Sequence, residues 1–569
     1  MKRVKLAMWI CVLLSAALMS LPWLVPHCGF LALIGLVPLL CADHIASLNE
    51  IRRFRIWHYS FFVLWNAATT WWVANATVGG AIFAILANSL QMSLVFGLFR
   101  LSKRRLQGVL PYILLAVAWI AWERWYLQSA QISWPWLVLG NAFAQSTRSI
   151  QWYEFTGSLG GSAWVWACNI TVFMLLKAFL EGDWAHWNAK GRIAAAAWLV
   201  GVFAFPYAAS AHIFHHYQEV SEGSVPVIIG QPNFDPYEKF TSKSQAEQTA
   251  ELLDLYAKAI PEGEWNGLLL APETFTGDVF LDRIPEGRTF RTFQDFLQKH
   301  PGTNLLFGAS TYQIFSTRKA PSILARKYGD GWVENHNSAI MTDPSGRAEV
   351  FHKSKLVVGT ELTPYPKLFV PIDNKLGGVM GRCIGQKEIA CLHAEIAGQA
   401  GNDDAAGNDD AAGNDDAAGN DDAAGNDDRH TRPDRVSIGC AVCYESVYGE
   451  YCTGYIRKGA RLMTVITNDA WWGDTPGYKQ HFSYSCLRAI ETRRDIARCG
   501  NTGISAIIDQ RGEVLSRTPW WQPAVLAGTV NLNSEQTFFV RHGDIVGRIC
   551  TFMFLLLVLA LLVRLVIRR

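Results

Sequence analysis

Three residues of this chain have side chains suited to acyl transfer, and each closes or follows an apolar run. Glu273 ends GLLLAPE (267–273), Lys353 lies in FHKSKLVVGTE (351–361), and Cys443 ends VSIGCAVC (436–443). A thiol becomes a strong nucleophile once deprotonated, and a carboxylate can take and return its proton. An ammonium can stabilise both the thiolate and the oxyanion of a tetrahedral intermediate. Each residue also has an ordinary structural reading. A cysteine after a β-branched run is commonly a small buried hydrophobe, a glutamate after proline often opens a helix, and a lysine in HKSK is commonly a solvated charge.

The elements that must position these residues are legible between 221 and 540. Short, β-branched apolar runs recur there: VPVIIGQ (225–231), GLLLAPE, NLLFGAST (304–311), VSIGCAVC, LMTVITND (462–469) and GISAIIDQRGEVL (503–515). Turn residues bound them, and helix-period stretches such as KSQAEQTAELLDLYAKAI separate several. This predicts an α/β domain with strands buried on both faces. In such sheets sites form at the carboxyl ends of strands, so residues far apart in sequence can converge. One segment interrupts the pattern. From Gly401 the hexapeptide GNDDAA recurs up to Arg429. It is acidic, glycine-rich and without apolar bulk, which predicts a disordered surface loop over 401–428. Its aspartate spacing is not that of an EF-hand.

The rest of the chain reads as membrane. Residues 4–24 are apolar over the length needed to cross a bilayer, although the basic start MKRVK would also fit a signal peptide. No small-residue cleavage site follows, and more apolar segments come directly after. Further candidates lie near 29–46, 57–78, 80–99, 108–128, 161–180, 193–211 and 546–564, about eight spans in all. Basic clusters at 2–5, 52–55, 100–105, Lys190 with Arg192, and the terminal RLVIRR alternate with them if taken as cytoplasmic. Both termini then lie inside and the α/β domain outside. The domains expected are 1–215 (about seven spans), 221–540, and a last helix over 544–569. The segment SAQISWPWLVLGNAF (129–143) is too short to cross and is expected to lie at the outer interface. With 51 Lys+Arg against 49 Asp+Glu there is no case for nucleic acid.

The words around the three reactive residues, LLLAPETF, FHKSKL and CAVCYESVYGEY, resemble the carbon-nitrogen hydrolase (nitrilase) superfamily in its order Glu, Lys, Cys. With spans before and after the domain, the chain is similar to the apolipoprotein N-acyltransferase family. HNSAIM (336–341), GTELTPYP (359–366), TNDAWWGDTPGYKQHF (467–482) and CGNTGISAIID (499–509) support this. The resemblance implies an α-β-β-α sandwich. It also implies Glu273 as general base, Lys353 as oxyanion and thiolate stabiliser, and Cys443 as acylated nucleophile. Glu361 matches a second glutamate beside the base, and Tyr444 and Glu445 the pair after the nucleophile. Glu361 departs from the usual family context, since VVGTELTPYP stands where many members read proline and phenylalanine before Gly-Glu.

The implied chemistry is ping-pong. An acyl chain passes from a membrane phospholipid to Cys443 as a thioester, and then to the α-amine of a diacylglyceryl-cysteine at a lipoprotein N-terminus. Trp134, Trp136, Trp471 and Trp472 are candidates to line a water-poor entrance, though each also reads as a core or belt aromatic. The setting implied is a bacterial inner membrane, with the catalytic domain in the periplasm and a monomeric protein that needs no cofactor. No His/Cys spacing suggests a metal. His481 reads as a lone structural histidine, and Cys383 with Cys391 as a candidate bridge. The rivals are a membrane-anchored nitrilase-type amidase and an inactive lipoprotein-binding membrane protein. A transporter fits the span number but lacks intramembrane charge beyond Glu123 and Arg124.

Overall fold

The computed structural model describes residues 1–51, 53–239, 242–396 and 434–567. The GNDDAA repeat lies outside the described residues.

A helical bundle occupies the first part of the chain. Its long helices are Lys2–Leu24, Val37–Leu48 (preceded by short turns from Gly29), Arg55–Thr70, Val78–Ser102, Leu110–Gln128, Tyr153–Leu180 and Ala189–His216, and Ile545–Ile567 joins it from the other end of the chain. Six of these segments are long and apolar enough to cross a membrane: Lys2–Leu24, Gly29–Leu48, Val78–Ser102, Tyr153–Leu180, Ala189–His216 and Ile545–Val566. Arg55–Thr70 has only 16 residues, and Leu110–Gln128 carries Glu123 and Arg124. Aromatic side chains knit the bundle, with Trp65, Trp119 and Trp166 fully buried. Where the backbone breaks at Leu36, the buried Asn169 accepts from Leu36 N–H (2.7 Å) and donates to the Ala32 carbonyl (2.7 Å). An apolar setting demands that kind of internal satisfaction.

The helices also order the charge. Residues 72–75 touch Trp472 of the sheet domain, and the 25 residues of Val78–Ser102 carry Arg100 and Lys103 to the far end, where both pair with buried Asp43 (2.7 and 2.6 Å). Arg564 reaches the Arg105 carbonyl at that same end. Arg100, Lys103, Arg105 and Arg564 therefore gather at the end of the bundle away from the sheets.

The sheet domain is a sandwich. One sheet of eight strands runs Ala524–Asn531, Ser224–Gln231, Gly267–Leu270, Thr303–Phe315, Gly331–Thr342, Arg326–Tyr328, with Thr276–Phe280 and Ala348–His352 paired at its side. The second sheet runs Val514–Arg517, Ala506–Ile508, Ile496–Gly500, Leu462–Thr467, Asp434–Val442, Leu392–Ile396. Alternation sorts the side chains. Val227, Ile229, Leu268, Leu270 and Leu306 face the second sheet and pack with Ile438, Cys440, Met463 and Val465. Ile228, Leu269, Leu305 and Phe307 turn outward onto the helices Gln245–Ala259 and Arg288–Leu297, through Leu252, Tyr256, Phe290 and Phe293. Gly449–Arg457 and Pro476–Thr492 cover the second sheet. Strands buried on both faces give the uninterrupted apolar runs of the sequence, and each such side chain contributes about 1.5–3 kcal/mol by burial.

One sequence expectation, a Cys383–Cys391 bridge, is corrected. Residues 135–143 form buried 3-10 turns between bundle and sandwich. Leu139 N–H caps onto buried Glu123 (2.8 Å), and Tyr484 of the sandwich donates to the Trp136 carbonyl (2.7 Å). A tryptophan-rich segment can shed water against protein as well as against lipid, and here the protein supplies the cover. Cys383 and Cys391 form no bridge: both are free, Cys383 bonding through its backbone to Glu361 and Cys391 lying against Tyr455 and Lys458.

Candidate active site

Each reactive residue sits where a strand gives way to a turn. Glu273 follows Gly267–Leu270, and Thr274 after it takes a left-handed φ of 45°. Lys353 follows Ala348–His352, its N–H donating to the Asn337 carbonyl (2.8 Å). Cys443 ends Asp434–Val442 and opens the 3-10 turn Cys443–Val447 with φ 51°. A cysteine in the left-handed region is held there by its surroundings, and the turn ends the strand's alternation at this buried side chain.

Two strands of the first sheet and one of the second thus bring Glu273, Lys353 and Cys443 together. The Lys353 ammonium, 1 % exposed, donates to Glu273 Oε1 (2.9 Å) and to Glu361 Oε1 (3.0 Å). Asn337 Nδ2 donates to the same two oxygens (2.8 and 2.7 Å). Glu273 Oε2 accepts from Asn468 N–H (3.2 Å), and Glu361 Oε2 from Val357 N–H (2.8 Å). Two carboxylates and one ammonium leave a net negative charge. Burial alone disfavours a charged amine, but Glu273, Glu361 and Cys443 hold Lys353 well above the usual lysine range. Burial pushes the Cys443 thiol up and the Glu273 charge adds to that, while Lys353 pulls the other way. The resting thiol is therefore neutral and needs a base.

Glu445, fully buried, ties the two halves. It accepts from Val442 N–H (2.8 Å) beside the cysteine, from Ser354 N–H (2.6 Å) and Lys355 N–H (3.2 Å) beside the lysine, and from Tyr451 OH (2.8 Å). Burial raises its carboxyl against these donors. Tyr444 OH donates to the Ser133 carbonyl (3.2 Å) and its ring stacks on Trp134. Trp134 is half-buried, Trp136 is buried against Trp72, Trp472, Tyr484 and His481, and Trp472 is half-buried between Trp72 and His481. Trp471 is 40 % exposed, edge-on to Tyr237. A cavity of about 340 Å³ at the seam of bundle and sandwich, lined by Arg124, Lys355, Tyr448, Glu450 and Asp544 among others, does not include Cys443.

Several residues of the site escaped sequence reasoning. Asn337 lies inside the phrase HNSAIM and was legible only as context. Lys239 donates to the Thr274 carbonyl beside the base, and burial brings it down to about 8 against the pull of Glu273. Asp469 and His481 lie under the nucleophile with Arg498. Potential ligand atoms of Cys443, Asp469 and His481 fall within 4.8 Å of one another. The set is poorly suited to a metal: both His481 nitrogens are hydrogen-bonded, and Asp469 is already paired with the Arg498 guanidinium (2.6 Å).

Comparison with known proteins follows the same division. The model of the apolipoprotein N-acyltransferase N-terminal domain matches residues 15–171, and the carbon-nitrogen hydrolase model matches residues 215–538. An apolipoprotein N-acyltransferase from Chlorobaculum tepidum is 27% identical over 546 residues, covering 95% of this chain and 93% of that protein. Another from Geobacter metallireducens is 27% identical over 562 residues, with the same coverage of each. Among solved structures, a nitrilase-superfamily member from Saccharomyces cerevisiae is 11% identical and covers 55% of this chain and 93% of that one, with a TM-score of 0.35.

Proposed function

The chain belongs to the carbon-nitrogen hydrolase family, among its apolipoprotein N-acyltransferases, and from that footing we propose that it moves an acyl chain from a phospholipid to a lipoprotein through a thioester on Cys443. In the first half-reaction Glu273 takes the thiol proton and the thiolate attacks an ester carbonyl of the donor lipid. The Lys353 ammonium offsets the charge that develops on the carbonyl oxygen. Collapse expels the lysophospholipid alkoxide, which leaves with the proton from Glu273. In the second half-reaction the free α-amine of a diacylglyceryl-cysteine attacks the thioester, Glu273 takes the amine proton, and the thiolate leaves and is reprotonated.

The observation that carries this reading is the shared placement of Lys353 between Glu273 and Glu361 next to Cys443. The ammonium cannot be lost while two carboxylates face it, so it serves as a fixed cation, and proton traffic falls to Glu273. Membrane helices before and after the sandwich, and the tryptophan layer joining them, favour lipid substrates over a soluble amide. Water would compete with the amine for the thioester, and a site walled by Trp134, Trp136 and Trp472 limits it. The same reading takes 1–215 and 544–569 as the membrane part and 221–540 as the catalytic domain, with basic helix ends cytoplasmic, the sandwich periplasmic and both termini inside. The test is transfer to a synthetic diacylglyceryl-cysteine peptide in mixed micelles with phospholipid. The protein should N-acylate the peptide, and Cys443→Ala and Cys443→Ser should abolish product while membrane insertion persists. Product formation by folded Cys443→Ala would overturn the assignment.

A further inference from the structure

We propose that the cavity at the seam of bundle and sandwich is a lipid site, separate from the acyl-transfer centre, in which Lys355 and Arg124 hold the phosphodiester of an outer-leaflet phospholipid. This takes the membrane placement from the reading above and needs nothing of its chemistry. The cavity, of about 340 Å³, lies between residues 124–128 and 156–159 of the bundle and the helix Gly449–Arg457 with Asp544, and Cys443 is not among its walls. Two cations on those walls are short of partners. Lys355 Nζ lies over the rings of Tyr448 and Tyr451, 5.1 and 5.8 Å from their centres. An ammonium has three protons to give. Among the described residues this one makes a single long bond, to the Gln128 carbonyl at 3.3 Å. Arg124 lies one helical turn before Gln128, on the same face. Its buried Nε makes no hydrogen bond among the described residues, and Asp544 Oδ2, also without a donor, stands 3.6 Å away. That ion pair is held too wide to hydrogen-bond. Two cations with open donors, close together on one wall, suit the two unesterified oxygens of a phosphodiester.

The other charged groups of the lining are already engaged. Glu450 accepts from Gln128 Nε2 and, at 3.4 Å, from Asp544 N–H, while Asp544 Oδ1 accepts from Gly547 N–H at 2.8 Å. Arg457 donates to Thr453 Oγ1 (2.8 Å) and to the Val540 carbonyl (3.0 Å). Arg124, Lys355 and Arg457 against Glu450 and Asp544 leave the walls one positive charge in excess. A phosphodiester is a monoanion and cancels it, whereas a phosphate monoester, close to two negative charges at neutral pH, would overshoot. Burial disfavours the charged form of Lys355, and an anion beside it would offset that.

Depth and wall chemistry point to a lipid as the source of the phosphate. Gln128 ends its helix against the sandwich, and Arg124 lies about 6 Å further into the bundle along the helix axis, at the level of the headgroups. Leu127, Leu159 and Phe539 give the cavity an apolar side. The site also touches the support of the nucleophile. Lys355 N–H and Tyr451 OH both donate to Glu445 Oε1 (3.2 and 2.8 Å), and the same carboxylate accepts from Val442 N–H beside Cys443. A lipid held by Lys355 therefore braces the strand end that carries the thiol.

The test uses the full chain as Cys443→Ala, freed of lipid in detergent, and a diether phosphatidylglycerol with a photoreactive group on the headgroup. Ether chains offer no acyl group, so every result stands whether or not Cys443 carries a thioester. Crosslinks mapped by peptide mass spectrometry should fall in 124–128 and 448–457. Arg124→Gln with Lys355→Gln should weaken that labelling by about tenfold or more at limiting lipid, and Lys355→Arg should restore most of it to Lys355→Gln. Lys355→Gln alone keeps the test open if the double variant does not fold. Unchanged labelling in a folded variant, checked by thermal unfolding, would overturn the role of the cations. Crosslinks confined to 443–447 and 134–136 would place the lipid at the acyl-transfer centre and overturn a separate site. Equal competition by glycerophosphoglycerol, the same headgroup without chains, would make this a site for soluble phosphodiesters and overturn the lipid assignment.

Discussion

Replacing Glu361 by glutamine removes one of the two carboxylates that share Lys353 and leaves the shape of the site nearly unchanged. Bonds of 2.8 and 2.7 Å meeting at the single Nδ2 of Asn337 put the Glu273 and Glu361 oxygens at most about 5.5 Å apart. At an effective dielectric of about 20 two like charges at that distance repel by about 3 kcal/mol. In the native site this repulsion assists the proton that passes from Cys443 to Glu273, because protonation relieves it. With about half of it expressed in the transition state, its loss costs about 1.5 kcal/mol, or roughly tenfold in rate. Lys353 reinforces the effect, since without Glu361 it bonds to Glu273 alone and makes that carboxylate a poorer acceptor. The assay is the rate at which an acyl mass appears on Cys443 with phospholipid and no acceptor, by rapid quench and intact mass spectrometry. The expected result for Glu361→Gln is about tenfold slower acylation with unchanged final stoichiometry. An equal or faster rate in a folded variant would refute the idea that excess negative charge drives the proton transfer.

Gly308→Ala should cripple the base without unfolding the domain. An added Cβ would meet Glu273 Cα at 2.5 Å and the Pro272 oxygen at 2.6 Å, backbone atoms that cannot swing aside, so Glu273 must shift. Acylation should fall about 100-fold for a stability loss of about 1–3 kcal/mol, measured by acyl-enzyme formation and thermal unfolding. Glu445→Gln exchanges charge-assisted bonds from Val442 and Ser354 for weaker ones. It should cost about 1–3 kcal/mol and slow acylation, read in the same two assays. Asp469→Asn leaves the fully buried Arg498 without its counter-charge and should lose about 3 kcal/mol at pH 7. Because the Asp469 carboxyl is held at about 2, its stabilisation is full above about pH 4 and lost as the pH falls towards 2. Denaturant titrations should therefore show the gap between variant and native protein closing over that range.

Much of the site was legible because the reactive residues stand at strand ends inside distinctive local phrases, and strand ends converge whatever the loops between them do. What could not be read was anything made by packing. Asp469 and His481 are 12 residues apart and Arg498 is 17 further on, with no spacing rule to join them; only the second sheet and the helix Pro476–Thr492 bring them beneath Cys443. Asn337 is an ordinary strand residue until its side chain is seen between two glutamates. The protein cover over 135–143 could not be read, because hydropathy records aversion to water without saying whether lipid or protein relieves it. Cys383 and Cys391 looked like partners by proximity in sequence, yet one is drawn to the Glu361 loop and the other to the end of Gly449–Arg457. The short helix Arg55–Thr70 merged with Val73–Ala76 in the sequence pattern, because the turn at Trp71 and Trp72 is as apolar as the helices it joins.

The central claim is that Cys443 carries the acyl chain between two substrates. Intact mass spectrometry of the purified protein, incubated with phospholipid and no amine, tests it most directly. The account predicts a gain of one acyl mass that maps to the Cys443 peptide, is lost on addition of a diacylglyceryl-cysteine peptide, and is absent in Cys443→Ser. A folded protein that transfers the chain with no adduct at Cys443, or with an adduct on another residue, would contradict it.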